Sequence, residues 1–263
     1  MTKAAQKSTG EATGQRTGSE VALSISQLTF AYPKQDKLFK DFDLQVHSGE
    51  KVGLIGPNGS GKTTLFLLAC GILAAKSGDI AIFDEPMDVG KFNSDIGLVF
   101  QSSDDQLFTT CVRDDVAFGP KNMGLEPDEI NERVRQSLAA TGTADLIDRV
   151  PQNLSGGEKS MAAIATVLAM RPRLILYDEP SASLDLHSRR QLIEFLQKSQ
   201  ETILVSTHDL ELVLEVCDRV LLLDDGCTVA DGNPTEMMSN VELMQAHRLE
   251  KPHALSPHMH FDR

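Results

Sequence analysis

The feature that most constrains this chain is Gly56-Pro57-Asn58-Gly59-Ser60-Gly61-Lys62-Thr63, set directly after the apolar run KVGLI. It satisfies GxxxxGK[ST] in a strand, loop, helix context, with Thr64 continuing into the helix. Glycines let the backbone wrap an anion, so that successive N–H groups and the positive end of the following helix point at phosphate oxygens. Lys62 would neutralise β and γ phosphates, and the Thr63 hydroxyl would ligate Mg²⁺.

The surrounding pattern is that of an α/β core. VALSISQLTFAY, FDLQVH and KVGLI read as three strands ahead of a helix over 61–73, followed by strands at 78–83 and 96–100. A mainly helical middle is expected from 112 to 170, clearest over 128–140, where Pro127 stands as an entry signal. RLILYD, ETILVS and RVLLLDD then read as apolar strands alternating with helices, the pattern of a parallel sheet covered on both faces. Residues 1–20 carry almost no large apolar side chains and are expected to be a disordered tail.

LILYDEP supplies two carboxylates where a buried strand reaches its C-terminal edge, the usual place for ligands in open α/β sheets. Asp178 would hold Mg²⁺ through water, and Glu179 would polarise an attacking water.

Composition excludes several classes. The 25 Lys+Arg against 38 Asp+Glu give a net charge of −13, which opposes nucleic-acid contact. No apolar run reaches the roughly 18 residues of a spanning helix, and the first residues lack the h-region of a secretory signal. Cys70, Cys111, Cys217 and Cys227 form no CxxC pair, so they are expected to be small core residues in a reducing cytoplasm.

Leu154-Ser155-Gly156-Gly157-Glu158 precedes a helical run, Ser181-Ala182-Ser183-Leu184-Asp185 follows the carboxylate pair, and Ser206-Thr207-His208-Asp209 follows the next strand. With these motifs in this order, the chain resembles an ATP-binding-cassette (ABC) ATPase over about 21–235. The resemblance implies a P-loop NTPase fold with a RecA-like parallel-sheet core, an N-terminal antiparallel β subdomain and an inserted helical signature subdomain over about 102–160. Residues 236–263 are expected to form a C-terminal extension. It also implies a dimer in which two ATP molecules lie between one subunit's P-loop and the other's LSGG. Ser155 and the amides of Gly156 and Gly157, at a helix start, are consistent with such a second anion corner. In the resemblance, His208 matches the switch histidine at the γ-phosphate. Gln101 matches the Q-loop glutamine linking Mg²⁺ and water to a membrane partner, Asp185 the aspartate crossing the dimer interface, and Tyr32 the aromatic that stacks on adenine. Glu158 stands where many members carry Gln, and Ser160-Met161 where Lys or Arg is frequent, which predicts slower hydrolysis than in a typical relative.

The run VFQSSDDQLF, with FAYP near the start, resembles the cobalt, nickel and vitamin importers called energy-coupling factor transporters. There the segment lies in a groove that receives the transmembrane coupling subunit. The resemblance implies a peripheral protein on the cytoplasmic face of the membrane, working with a second ATPase subunit, a coupling subunit and a substrate-binding membrane subunit. His247, His253, His258 and His260 near the C-terminus suit nickel or cobalt and tilt the expected cargo towards such a metal ion, with a vitamin as the rival. A soluble ABC protein acting on nucleic acid and a nucleotide-dependent metal sensor are the readings from other classes.

Overall fold

The computed structural model describes residues 20–34, 36 and 38–256. The expected disordered tail therefore lies, apart from Glu20, outside the described residues, as do His258 and His260. In chain order the elements are β1 (Val21–Phe30), β2 (Phe39–His47), β3 (Lys51–Ile55), α1 (Lys62–Ala69), β4 (Ser77–Ile82), β5 (Glu85–Pro86) and β6 (Ile96–Val99). There follow α2 (Ser103–Gln106), α3 (Val112–Asn122), α4 (Pro127–Ala140) and α5 (Gly156–Leu168). The chain then runs through β7 (Leu174–Asp178), α6 (Leu186–Lys198), β8 (Thr202–Ser206), α7 (Leu210–Val216), β9 (Arg219–Asp224), β10 (Cys227–Gly232), α8 (Pro234–Ser239) and α9 (Val241–Ala246).

Two sheets result, of order β2-β1-β4-β5 and β10-β9-β3-β8-β7-β6. The first is antiparallel, with Ile25 opposite Leu44 and Ile80. In β2 the inward Phe42, Leu44 and Val46 alternate with exposed neighbours, as one buried face requires. The second is parallel from β9 to β6, and only β10 runs against its neighbour. Both faces of that sheet are covered: Leu174 and Leu176 of β7 join a core with α1 and the antiparallel sheet, whereas Ile175 and Tyr177 join one with α5 to α9. This is why those strands read as unbroken apolar runs. A third core unites α3, α4 and α5.

The differences from the sequence reading have local causes. The first helix ends at Ala69 rather than near residue 73, because Gly71 takes φ +66° and turns the chain back. Pro127 is the first helical residue of α4, where its missing N–H costs nothing. The expected helical middle breaks between Ala140 and Gly156, where only two single turns form. Of the four free cysteines, Cys217 is buried, Cys70 and Cys111 are half-buried and Cys227 is exposed on the edge strand, so the core expectation fails for Cys227. His247 does not belong to a free tail: it closes α9, with Nδ1 2.7 Å from Asp224 Oδ2.

The β9–β10 hairpin turns through Asp225 (φ +46°) and Gly226 (φ +70°). A Cβ on Gly226 would stand 1.6 Å from the Leu38 carbonyl oxygen, so the turn fits closely under the segment leading into β2. Gly226→Ala is expected to cost about 2 kcal/mol or more and lower the melting temperature by about 5 °C or more, as a thermal melt would show. A melt unchanged within error would remove this contact from the fold's supports.

Candidate functional site

The loop between β3 and α1 follows its glycines, with φ of +151° at Gly56, +83° at Gly59 and +109° at Gly61. At Gly56 a Cβ would lie 1.9 Å from the Leu223 carbonyl oxygen, so no other residue fits there. Lys62 is folded back into the loop it serves: its Nζ donates to the Gly56 carbonyl at 2.9 Å and the Pro57 carbonyl at 3.2 Å. Burial holds its ammonium below the ordinary lysine range, against the pull of Glu179 and Asp178. Ser60 Oγ is buried without a hydrogen-bond partner among the described residues.

β7 carries the carboxylates to the same place. Asp178, its last residue, is buried and accepts the Ser206 hydroxyl at 3.0 Å, a bond set by the β7–β8 register that puts the two opposite. Glu179 leaves the strand at φ +48°, a conformation that costs a non-glycine residue about 1 kcal/mol and recurs at working sites. Its N–H donates to the Ser206 carbonyl at 2.8 Å, and its Oε2 accepts the His208 N–H at 3.0 Å. Burial raises the Glu179 carboxyl above the ordinary range, opposed by His208 and Lys62, and Oε1 has no hydrogen-bond partner among the described residues.

His208 Nε2 stands 2.8 Å from Asn58 Oδ1, 3.3 Å from Glu179 Oε1 and 3.5 Å from Lys62 Nζ. As oriented, the Asn58 oxygen accepts, so the ring carries its proton on Nε2 and the Lys62 contact is between two donors. Asp209 fixes the histidine's backbone: it caps α7 through the Leu212 N–H at 3.1 Å and forms a two-pronged pair with Arg189 of α6, the longer contact 2.7 Å. Burial alone would raise the Asp209 carboxyl; the guanidinium and the cap bring it below its ordinary range.

These groups face a cavity of roughly 1190 Å³, which Tyr32, Asn58, Gly59, Gly61, Thr63, Thr64, Gln101, Glu179 and His208 help to line. Tyr32 lies beyond the end of β1, edge-on to Phe30 at 4.9 Å, with its hydroxyl 3.0 Å from Thr64 Oγ1. Asp178, Gly56 and Ser60 sit behind this surface. The donor set of Thr63 hydroxyl, Gln101 amide and Asp178 carboxylate is all oxygen, as a hard divalent cation shared with phosphates requires.

The structure does not bring Ser155, Gly157, Glu158 and Asp185 to that cavity. They line a second groove of roughly 810 Å³ between α4, α5 and α6. Gly156 lines a third recess, shared with Gln101, Asp104 and Lys159. Ser155 caps α5 and Asp185 caps α6, the latter accepting the Ser188 N–H at 2.8 Å.

Sequence reasoning missed several residues that hold the site. Ser206, Asn58 as the histidine's partner, and Arg189 with Asp209 meet only through tertiary structure, although Ser206 stood in the STHD motif. Gln106 was seen only as part of a docking segment. Its Oε1 accepts the Phe100 N–H at 3.1 Å, and its Nε2 donates to the Ala163 carbonyl at 3.0 Å and Thr166 Oγ1 at 2.8 Å. Asp104 pairs with Lys159 of α5 at 2.7 Å. The DDQ segment thus fastens the strand end before Gln101 to the helix that follows Ser155.

Comparison with known proteins agrees with this geometry. The ABC transporter family model matches residues 39–182. A Synechocystis protein named for an ABC transporter ATP-binding protein is 53% identical over 234 residues, 89% of this chain and 82% of that one. The energy-coupling factor transporter ATP-binding protein EcfA of Methanothermobacter thermautotrophicus is 40% identical over 238 residues, covering 88% of this chain and 76% of its own. The structure of CbiO1 from Clostridium perfringens, described as part of the ABC transporter complex CbiONQ, superposes with a TM-score of 0.77 at 34% identity, over 87% of this chain and 94% of that one. The chain belongs to the ABC transporter ATP-binding family, as an ATPase of the energy-coupling factor type.

Proposed function

We propose that this chain is the ATP-hydrolysing subunit of an energy-coupling factor importer that takes up a cobalt- or nickel-type metal ion through separate membrane subunits. The observation that carries the enzymatic part is the convergence on one cavity of a buried P-loop lysine, a half-buried carboxylate whose inner oxygen has no hydrogen-bond partner among the described residues, and a histidine beside both. Lys62 and the loop amides bind the phosphates, Tyr32 offers its ring to adenine, Glu179 orients and deprotonates water for in-line attack, and His208 holds the γ-phosphate. Mg²⁺, held by Thr63, Gln101 and Asp178, would supply charge neutralisation on the β and γ phosphates.

Because Ser155 and Gly157 line a different groove from that cavity, and Gly156 a separate recess beside Gln101, each chain supplies half of two different sites. A second ATPase subunit completes them. Gln101 to Phe108 forms the docking segment for the coupling subunit, supported by the exposed edge-to-face pair Phe108 and Phe118, whose centroids are 5.0 Å apart. Among the described residues no helix is long and apolar enough to cross a membrane.

Cargo is the finer point. The ring of His247 is engaged by Asp224, which takes one histidine away from a metal ion and leaves a vitamin as the second reading. Accumulation of radiolabelled Ni²⁺ and Co²⁺ at trace concentration, in cells with and without the chain, decides between them. Selective loss of one metal is expected. Unchanged accumulation of both, with loss of vitamin uptake in the same cells, would replace the metal by a vitamin.

A further inference from the structure

The start of α5 is more than a capped helix, because Glu158 spends the donors of Ser155. Glu158 Oε2 accepts the Ser155 N–H and the Ser155 hydroxyl, each at 2.7 Å, while Ser155 Oγ accepts the Glu158 N–H at 3.3 Å. The carboxylate is held below its ordinary range by these two bonds. Among the described residues, the groups left free at the corner are the first helical amides, those of Gly156 and Gly157. An anion approaching them meets a carboxylate within hydrogen-bond reach of the very hydroxyl it would use. The groove beyond adds Asp145, Asp185, Glu194 and Glu201 against one lysine, Lys198. Lys159, the next residue, is taken by Asp104. The exposed Arg149 adds a weaker attraction to the Glu158 carboxylate.

We propose that Glu158 is an internal competitor for Ser155, so that the signature corner closes on a phosphate only when Glu158 is displaced, and ATP-driven pairing of the ATPase subunits carries a threshold set by this residue. This rests on the reading that Ser155 closes over the γ-phosphate held by a second subunit. Glutamine at 158 keeps the reciprocal cap, since a Ser-x-x-Gln box serves α5 as well as Ser-x-x-Glu, but removes the charge. It can also turn its amide N–H towards the incoming anion.

The test is the ATP concentration for half-maximal pairing, measured by analytical ultracentrifugation on the full chain with its companion ATPase subunit, in the Glu179→Gln background so that ATP persists. Glu158→Gln is expected to lower that concentration about tenfold, the scale of one charge-assisted hydrogen bond released. Ser155→Ala, which removes the hydroxyl, is expected to raise it. A circular-dichroism melt of each variant checks that the fold persists, including in Ser155→Ala, which removes the side-chain cap of α5. If Ser155→Ala weakens pairing and Glu158→Gln leaves it unchanged or weaker, the competitor role is overturned and the reading of the corner stands. If Ser155→Ala changes nothing, the reading itself fails and the competitor role falls with it.

Discussion

Glu179→Gln is expected to hydrolyse ATP at least about a hundredfold more slowly than the parent while still binding it, accumulating as an ATP-bound pair of subunits. The substitution keeps size and hydrogen bonding, so the amide oxygen can still accept the His208 N–H where Oε2 did. What it removes is a basic, buried oxygen at the cavity that has no hydrogen-bond partner among the described residues. Burial raises the Glu179 carboxyl above the ordinary range, so the base form is lost on acidification at a pH higher than for an exposed carboxylate. The parent's rate is therefore expected to fall as pH drops through that raised value, with ATP affinity changing less. Steady-state hydrolysis and size-exclusion chromatography with ATP together check this. Normal turnover by the variant would remove Glu179 from its role as base.

Much of the fold was legible because the parallel strands announce themselves. LILYD and TILVS are buried at every position and apolar at most because each strand is covered on both faces, and carboxylates or a histidine at their ends mark the ligand edge. The P-loop was legible because its glycines answer a backbone demand that Gly56 makes plain. The short edge strand β10 escaped because Thr228 and Val229 pack little and its pattern is half turn, half surface. The termini of α1 and the gap before α5 depend on turns that periodicity does not report. The site's supports escaped for another reason: Ser206 is 28 residues from Asp178, and Asn58 is 150 from His208. Register and loop packing, not spacing, bring them together. Glu158 was visible as a departure from glutamine, but its consequence, that the carboxylate holds Ser155, needed the side-chain geometry.

Lys62→Ala is expected to weaken ATP binding roughly a hundredfold and to abolish cargo uptake, without a comparable loss of stability. The binding loss follows from the position of Nζ, seated between the Gly56 and Pro57 carbonyls and beside His208, where it faces the cavity as its buried cation. Charge-assisted hydrogen bonds to phosphate at such a seat are each worth about 1.5–3 kcal/mol. Stability responds differently. Lys62 is only 7% exposed, and burial lowers its ammonium below the value it has in the unfolded chain. The folded state therefore carries a cost wherever the unfolded lysine is charged, and removing the charge relieves it. Against this stand the two loop carbonyls left without their donor, which water can reach through the space the lysine side chain vacates. The two effects oppose, so the melting temperature without nucleotide is expected to stay within about 3 °C of the parent's. The parent alone should then gain stability on adding ATP, because a ligand that binds only the folded state raises the melt by mass action. Isothermal titration with ATP and paired melts with and without it check both parts. Tight binding by the variant would show that the loop amides suffice and that Lys62 acts only later, and a large drop in the nucleotide-free melt would make it a structural residue instead.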